Sequence, residues 1–120
     1  MQSAAKAYGA VANKTASPRD LEASLLLKAA SRLQAIHDDW DAGKASLDSA
    51  LTFNRKLWTV FLSSVTDGSN PLPSEVRQNV ANIGLFVLSQ TVSMTADPRR
   101  ERLPSLININ RELAAGLRGA

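Results

Sequence analysis

Leu47-Asp48-Ser49-Ala50-Leu51-Thr52-Phe53-Asn54-Arg55-Lys56-Leu57-Trp58-Thr59-Val60-Phe61-Leu62-Ser63-Ser64-Val65 is the stretch that decides the fold class. Counted from Leu47, offsets 0, 3, 4, 11, 14, 15 and 18 are Leu47, Ala50, Leu51, Trp58, Phe61, Leu62 and Val65. Intervals of three and four place these side chains on one face of an α-helix, since a turn takes 3.6 residues. Offset 7 is Asn54, an amide set into an otherwise apolar face.

The segments on either side repeat the period. Asp67-Gly68-Ser69-Asn70-Pro71-Leu72-Pro73 is rich in residues that end helices, and Pro73 and Glu75 open another helix that lasts to about Ala96. Asp97-Pro98 interrupts the chain before a last helix from about Pro104 to Leu117. Upstream, Asp38, Asp39, Asp41 and Gly43 read as an acidic turn between helices, too short and too irregular for an EF-hand loop. Before it, Ser17 and Pro18 start a helix: the hydroxyl can accept from first-turn amides, and proline at the first position forfeits no needed donor. Leu21, Leu25, Leu26, Ala29, Leu33 and Ile36 are expected to form its buried stripe. Ser3 to Ala12 is Ala-rich and predicts a short, weak helix. No run alternates with period two. The expectation is an all-α, compact bundle of four to five helices in a single domain, 1–120, with residues 1–16 a weak N-terminal helix or arm and 17–118 the core.

Three features call for a role. Asn110, between Leu106 and Leu113, repeats the placement of Asn54, and each is followed by Arg. A buried amide without partners costs about 1–3 kcal/mol, so both side chains are expected to be hydrogen-bonded. They either fix helix register or anchor a bound peptide. The helix beginning near Pro73 is apolar on two sides: Val76, Val80, Ile83, Val87 and Met94 on one, Ala81, Leu85, Leu88 and Val92 on the other. Such a helix is either central or open to a partner. Few helices can surround one of their number, so Leu85, Leu88 and Val92 are the candidate partner groove. Trp58 and Phe61 are neighbours on one helical face, expected in the core.

Composition narrows the function classes. The chain has no Cys and one His, His37, which leaves no thiolate nucleophile, Cys-based zinc site or multi-histidine cluster. No Gly-rich phosphate loop or nucleophile motif is present. The expectation is a protein without catalytic residues, cofactor or metal. Fourteen Lys+Arg against eleven Asp+Glu give a net charge of +3, and the densest basic run, Arg99, Arg100 and Arg102, is broken by Glu101 and preceded by Asp97. That run reads as a solvated connector. Neither an export signal nor the roughly 20 apolar residues of a membrane span is visible, so a cytoplasmic chain is expected.

Several pieces together resemble the FlaF family of alphaproteobacterial flagellar biosynthesis regulators. They are Ser17-Pro18-Arg19-Asp20-Leu21-Glu22; Asn54-Arg55-Lys56-Leu57-Trp58 with Phe61; Leu72-Pro73; Asn79-Val80-Ala81-Asn82-Ile83-Gly84-Leu85-Phe86-Val87; and Ile107-Asn108-Ile109-Asn110-Arg111 with Ala115-Gly116-Leu117. The resemblance implies a role in flagellum biogenesis: promoting flagellin synthesis and its delivery for export, beside the FlbT-type regulator of flagellin message. Flagellin is then the expected partner, bound as by a secretion chaperone or export adaptor, with the FlbT-type regulator a second candidate and no membrane. Flagellin ends are amphipathic segments that a helical groove can cover. Tyr8, the only tyrosine, is a candidate to occupy or frame that groove. The alternative is an RNA-associated translational regulator of flagellin message; the chain lacks the interleaved basic and aromatic residues that such binding uses.

Overall fold

The computed structural model describes residues 18–119. Four long helices follow one another: α1 (Pro18–Asp38), α2 (Leu47–Thr66), α3 (Ser74–Ala96) and α4 (Leu103–Gly119). A one-turn helix, Trp40–Gly43, and a 3-10 turn, Lys44–Ser46, join α1 to α2, and a second 3-10 turn, Arg100–Arg102, precedes α4. Among the described residues there is no strand. The all-α reading is what the structure shows.

The elbow between α1 and α2 is built from the acidic turn. The Asp39 side chain accepts from the Ala42 amide, capping the one-turn helix. Gly43 then lies so close to α1 that a Cβ there would sit 2.8 Å from the Ile36 Cα. Glycine is required here by contact with backbone that cannot move aside. At the other end of α2, Asp67 accepts from the Ser69 amide at 2.9 Å and its hydroxyl at 2.8 Å. These bonds hold the Asp67 carboxyl below its usual range. Asn70 completes the loop, donating to the Ser64 carbonyl and accepting from the Leu72 amide. The connector before α4 is also self-contained: Arg99 pairs with Asp97 at 2.8 Å and Glu101 at 3.8 Å. Arg100 donates to the His37 carbonyl at 2.9 Å, a cation placed at the negative end of α1. Arg100 thus braces the connector against the end of α1.

α1 packs along α4, α3 packs along α2, and α1 with α2 joins the two pairs. The shortest dimension is 22 Å, about two helix diameters, so the helices lie in two layers. Leu26, Leu33, Leu51, Trp58, Val87, Met94, Leu103, Leu106 and Ile107 are sealed in the shared core.

Two of the expected stripes are displaced, for the same reason. On α1 the buried residues are Ala23, Leu26, Ala29, Ala30, Leu33 and Ile36, while Leu21 and Leu25 are exposed. On α3 they are Gly84, Val87, Thr91 and Met94, with Val80 and Leu88 packed partly against the core. Val76 and Ile83, expected inside, are exposed. Both helices turn toward their partners the strip where small residues let backbones approach. At Gly84 a Cβ would lie 2.9 Å from the Leu62 Cγ and 3.3 Å from Trp58 Cε3. Counting large apolar residues misses a contact made through small ones. α3 is consequently an edge helix, held from the α2 side and not surrounded.

Candidate functional site

The amides of Asn54 and Asn110 meet in the core, each with no exposed surface. Trp58 donates its indole N–H to Asn110 Oδ1 at 2.9 Å, and Asn110 Nδ2 donates to Asn54 Oδ1 at 2.7 Å. A longer contact of 3.5 Å runs from Asn110 Nδ2 to the Leu26 carbonyl on α1. The direction of the chain follows from chemistry. An indole nitrogen only donates, so Asn110 must offer it oxygen; its nitrogen then faces Asn54, which must offer oxygen in turn. The Asn54 Nδ2 is left without a partner. One relay thus ties α2 to α4 and touches α1, at right register only. Neither amide reaches the surface, so neither is placed to touch a docked peptide. Trp58 packs on Phe61 with ring centroids 5.7 Å apart and planes tilted by 56°.

Phe61 also reaches the end of the bundle, where a cleft of about 270 Å³ opens between the start of α1, the end of α2, the start of α3 and the end of α4. Its floor is Phe61, Val65, Leu72, Val80, Leu113 and Leu117; Arg19 and Glu22 stand at one rim. Burial pushes the Glu22 carboxyl above its usual range, and Arg19, one turn earlier, works against that shift. A second hollow, about 220 Å³, lies between α3 and α4 against Ile83, Ile109, Glu112 and Leu113. Leu113 lines both hollows, and the one between α3 and α4 forms a short apolar trough beside α3. A larger hollow of about 450 Å³ sits at the α1–α2 elbow, but its Arg32 is already bonded to Ser49 at 2.7 Å.

The exposed apolar side chains of α3 fall on two flanks. Ile83 (41% exposed) lines the trough, and Phe86 (46%) lies about 60° from it around the helix. Leu85 (61%) and Val92 (65%) stand on the opposite flank, with half-buried Leu88 between that flank and the core. Helical geometry separates Ile83 from Leu85 by about 200°. The sequence-predicted groove residues Leu85 and Val92 are therefore accessible, while Leu88 is partly spent on packing. Ile83, Ile109 and Leu113, which line the trough, escape sequence reasoning because only the seam with α4 brings them together. Pro18 begins α1 as expected; Tyr8 and Ser17 lie outside the described residues.

Among the described residues no group of three or more His, Asp or Glu is placed to hold a metal ion, and no helix is long and apolar enough to cross a membrane. What fold and surface define is a small helical bundle with an edge helix and an apolar trough beside it. The family model described as flagellar protein FlaF matches residues 4–117, nearly the whole chain, and the chain belongs to the FlaF family of flagellar proteins. No curated protein and no solved structure matches it.

Proposed function

We propose that this flagellar protein binds flagellin without catalysing a reaction, covering an amphipathic terminal segment as an export chaperone or adaptor and so promoting flagellin synthesis. The observation that carries the reading is the trough, with half-exposed Ile83 in its lining and half-exposed Phe86 on the same flank of α3. Flagellin ends before polymerisation are amphipathic segments, and a helix laid in such a groove buries its apolar side chains at helical spacing. Covering each half-exposed side chain is worth roughly 1 kcal/mol, half the value of full burial. The FlbT-type regulator is the second protein partner that the family suggests. RNA is the lesser alternative, since Arg99 is already paired within its own connector.

The test is a titration of fluorescent peptides spanning the flagellin ends with the full chain. Ile83→Asp places a charge in the trough and is expected to weaken binding roughly tenfold or more, a loss of at least about 1.4 kcal/mol. Leu85→Asp, on the far flank, is expected to leave affinity within about twofold, well under the 1.4 kcal/mol of a tenfold change. Equal binding by Ile83→Asp and the parent chain removes the trough from the reading. A steep fall of affinity with added salt would replace apolar docking with phosphate contact.

A further inference from the structure

We propose that the face shared by α1 and α2 is a second docking surface, one that takes an acidic amphipathic segment of a partner protein. On α1, Leu21, Leu25, Lys28 and Arg32 fall within about 60° of one another around the helix. On α2, Ser49, Phe53, Lys56 and Val60 do the same. Contact joins the two stripes. Arg32 donates to the Ser49 hydroxyl at 2.7 Å, and its guanidinium lies 5.2 Å from the centre of the Phe53 ring. The Lys28 ammonium lies 5.7 Å from the same ring. The trough between α3 and α4 shares no residue with this face.

Two properties mark the face as a binding surface. The first is uncompensated charge. Among the described residues Lys28, Arg32 and Lys56 pair with no carboxylate, whereas Arg99 pairs with two. A hydroxyl and a ring face leave the cations unneutralised, and Arg32 keeps donors to spare. Neither stripe carries an acid. Asp48 lies about 140° from Phe53 around α2. Asp39 lines the elbow hollow with Arg32 and Ser49, but its carboxylate accepts from the Ala42 amide. The second property is apolar surface turned outward. Leu21, Leu25 and Val60 are exposed, the leucines because α1 packs through its small residues. Cations and aliphatic side chains at helical spacing complement a helix whose apolar side is edged by Glu or Asp. A nucleic acid fits less well. Its phosphates gain nothing from the aliphatic side chains, and half-buried Phe53 is the one aromatic ring on the two stripes, short of a stacking platform.

The test titrates the full chain with a fluorescein-labelled helical peptide of about 18 residues, ~27 Å long, its leucines on one face edged by glutamates. Saturable binding that shifts the methyl resonances of Leu21, Leu25 and Val60 is expected. The same peptide with glutamine for glutamate is expected to bind roughly tenfold more weakly. So is the acidic peptide to a Lys28→Gln, Lys56→Gln chain, through the loss of two exposed ion pairs. Both lysines are exposed and glutamine is as good a helix former, so the variant keeps its fold, which far-UV circular dichroism checks. Ile83→Asp is expected to leave this binding unchanged, so the surface stands or falls separately from flagellin docking in the trough. No binding, equal affinity for the glutamine peptide, or shifts confined to Ile83, Ile109 and Leu113 overturn the proposal. An oligouridylate that displaces the peptide at lower concentration assigns the face to phosphate and overturns it too. Sedimentation showing a dimer of the parent that the double lysine variant no longer forms makes a second copy the occupant, with the same consequence.

Discussion

Replacing Asn110 by Leu tests the polar relay where it is most exposed to failure. The substitution strips Trp58 of the acceptor at 2.9 Å and Asn54 Oδ1 of the donor at 2.7 Å, both in fully buried surroundings. Each orphaned group costs about 1–3 kcal/mol. Burying the leucine carbons returns about 1–2 kcal/mol, leaving a net loss of about 2–4 kcal/mol. That is a large part of the roughly 5–15 kcal/mol by which a domain of this size is stable. Asn54→Leu behaves differently. It takes an acceptor from Asn110, which keeps its 3.5 Å contact with the Leu26 carbonyl, and it also removes the unpartnered Asn54 Nδ2. Loss and relief nearly cancel, within about 1 kcal/mol. The double variant Asn54→Leu, Asn110→Leu leaves only the Trp58 indole unsatisfied and is expected to be more stable than Asn110→Leu alone. Urea unfolding of the three variants measures this, as shifts in midpoint at constant slope. If Asn54→Leu costs as much as Asn110→Leu, or the two effects add, the donor-to-acceptor order assigned here is wrong.

Further outcomes follow from the packing. Gly84→Ala gains about 1 kcal/mol of helix propensity but places a Cβ 2.9 Å from the Leu62 Cγ, and overpacking costs about 1–3 kcal/mol, so a lower urea midpoint is expected. A higher one would mean that α3 does not approach α2 this closely. Glu22→Gln is expected to raise the melting temperature at pH 7, because burial disfavours the ionised carboxyl in the folded chain. The sign follows from the raised pKa: the parent gains stability as pH falls through that value and below the ordinary 4.5. The difference between parent and variant therefore shrinks toward acid, and melting curves across that range check it. A gap that widens on acidification would contradict the burial of Glu22.

Much of this architecture is legible along the chain. Helix boundaries follow from proline, glycine and the Asx residues that break the period, as at Asp38–Gly43 and Asp67–Pro73, because those residues act on the local backbone. Asn54 and Asn110 stand out because an amide on an apolar face demands a partner, although the sequence does not show that each supplies the other's. The trough is a different matter. Periodicity ranks large side chains and so points to Leu21, Leu25, Val76 and Ile83 as core, but α1 and α3 settle on their small residues.

Sequence alone determined that this chain is helical, roughly where the four long helices start and stop, that Asn54 and Asn110 need burial partners, and to which family it belongs. Tertiary structure decided which face of each helix is inside, that α3 lies at an edge, and that Leu113 lines one hollow with Phe61 and another with Ile83. The reason is physical. Helix formation depends on contacts three and four residues apart, whereas the choice of face depends on how closely two backbones can approach, and that is a property of pairs distant in sequence.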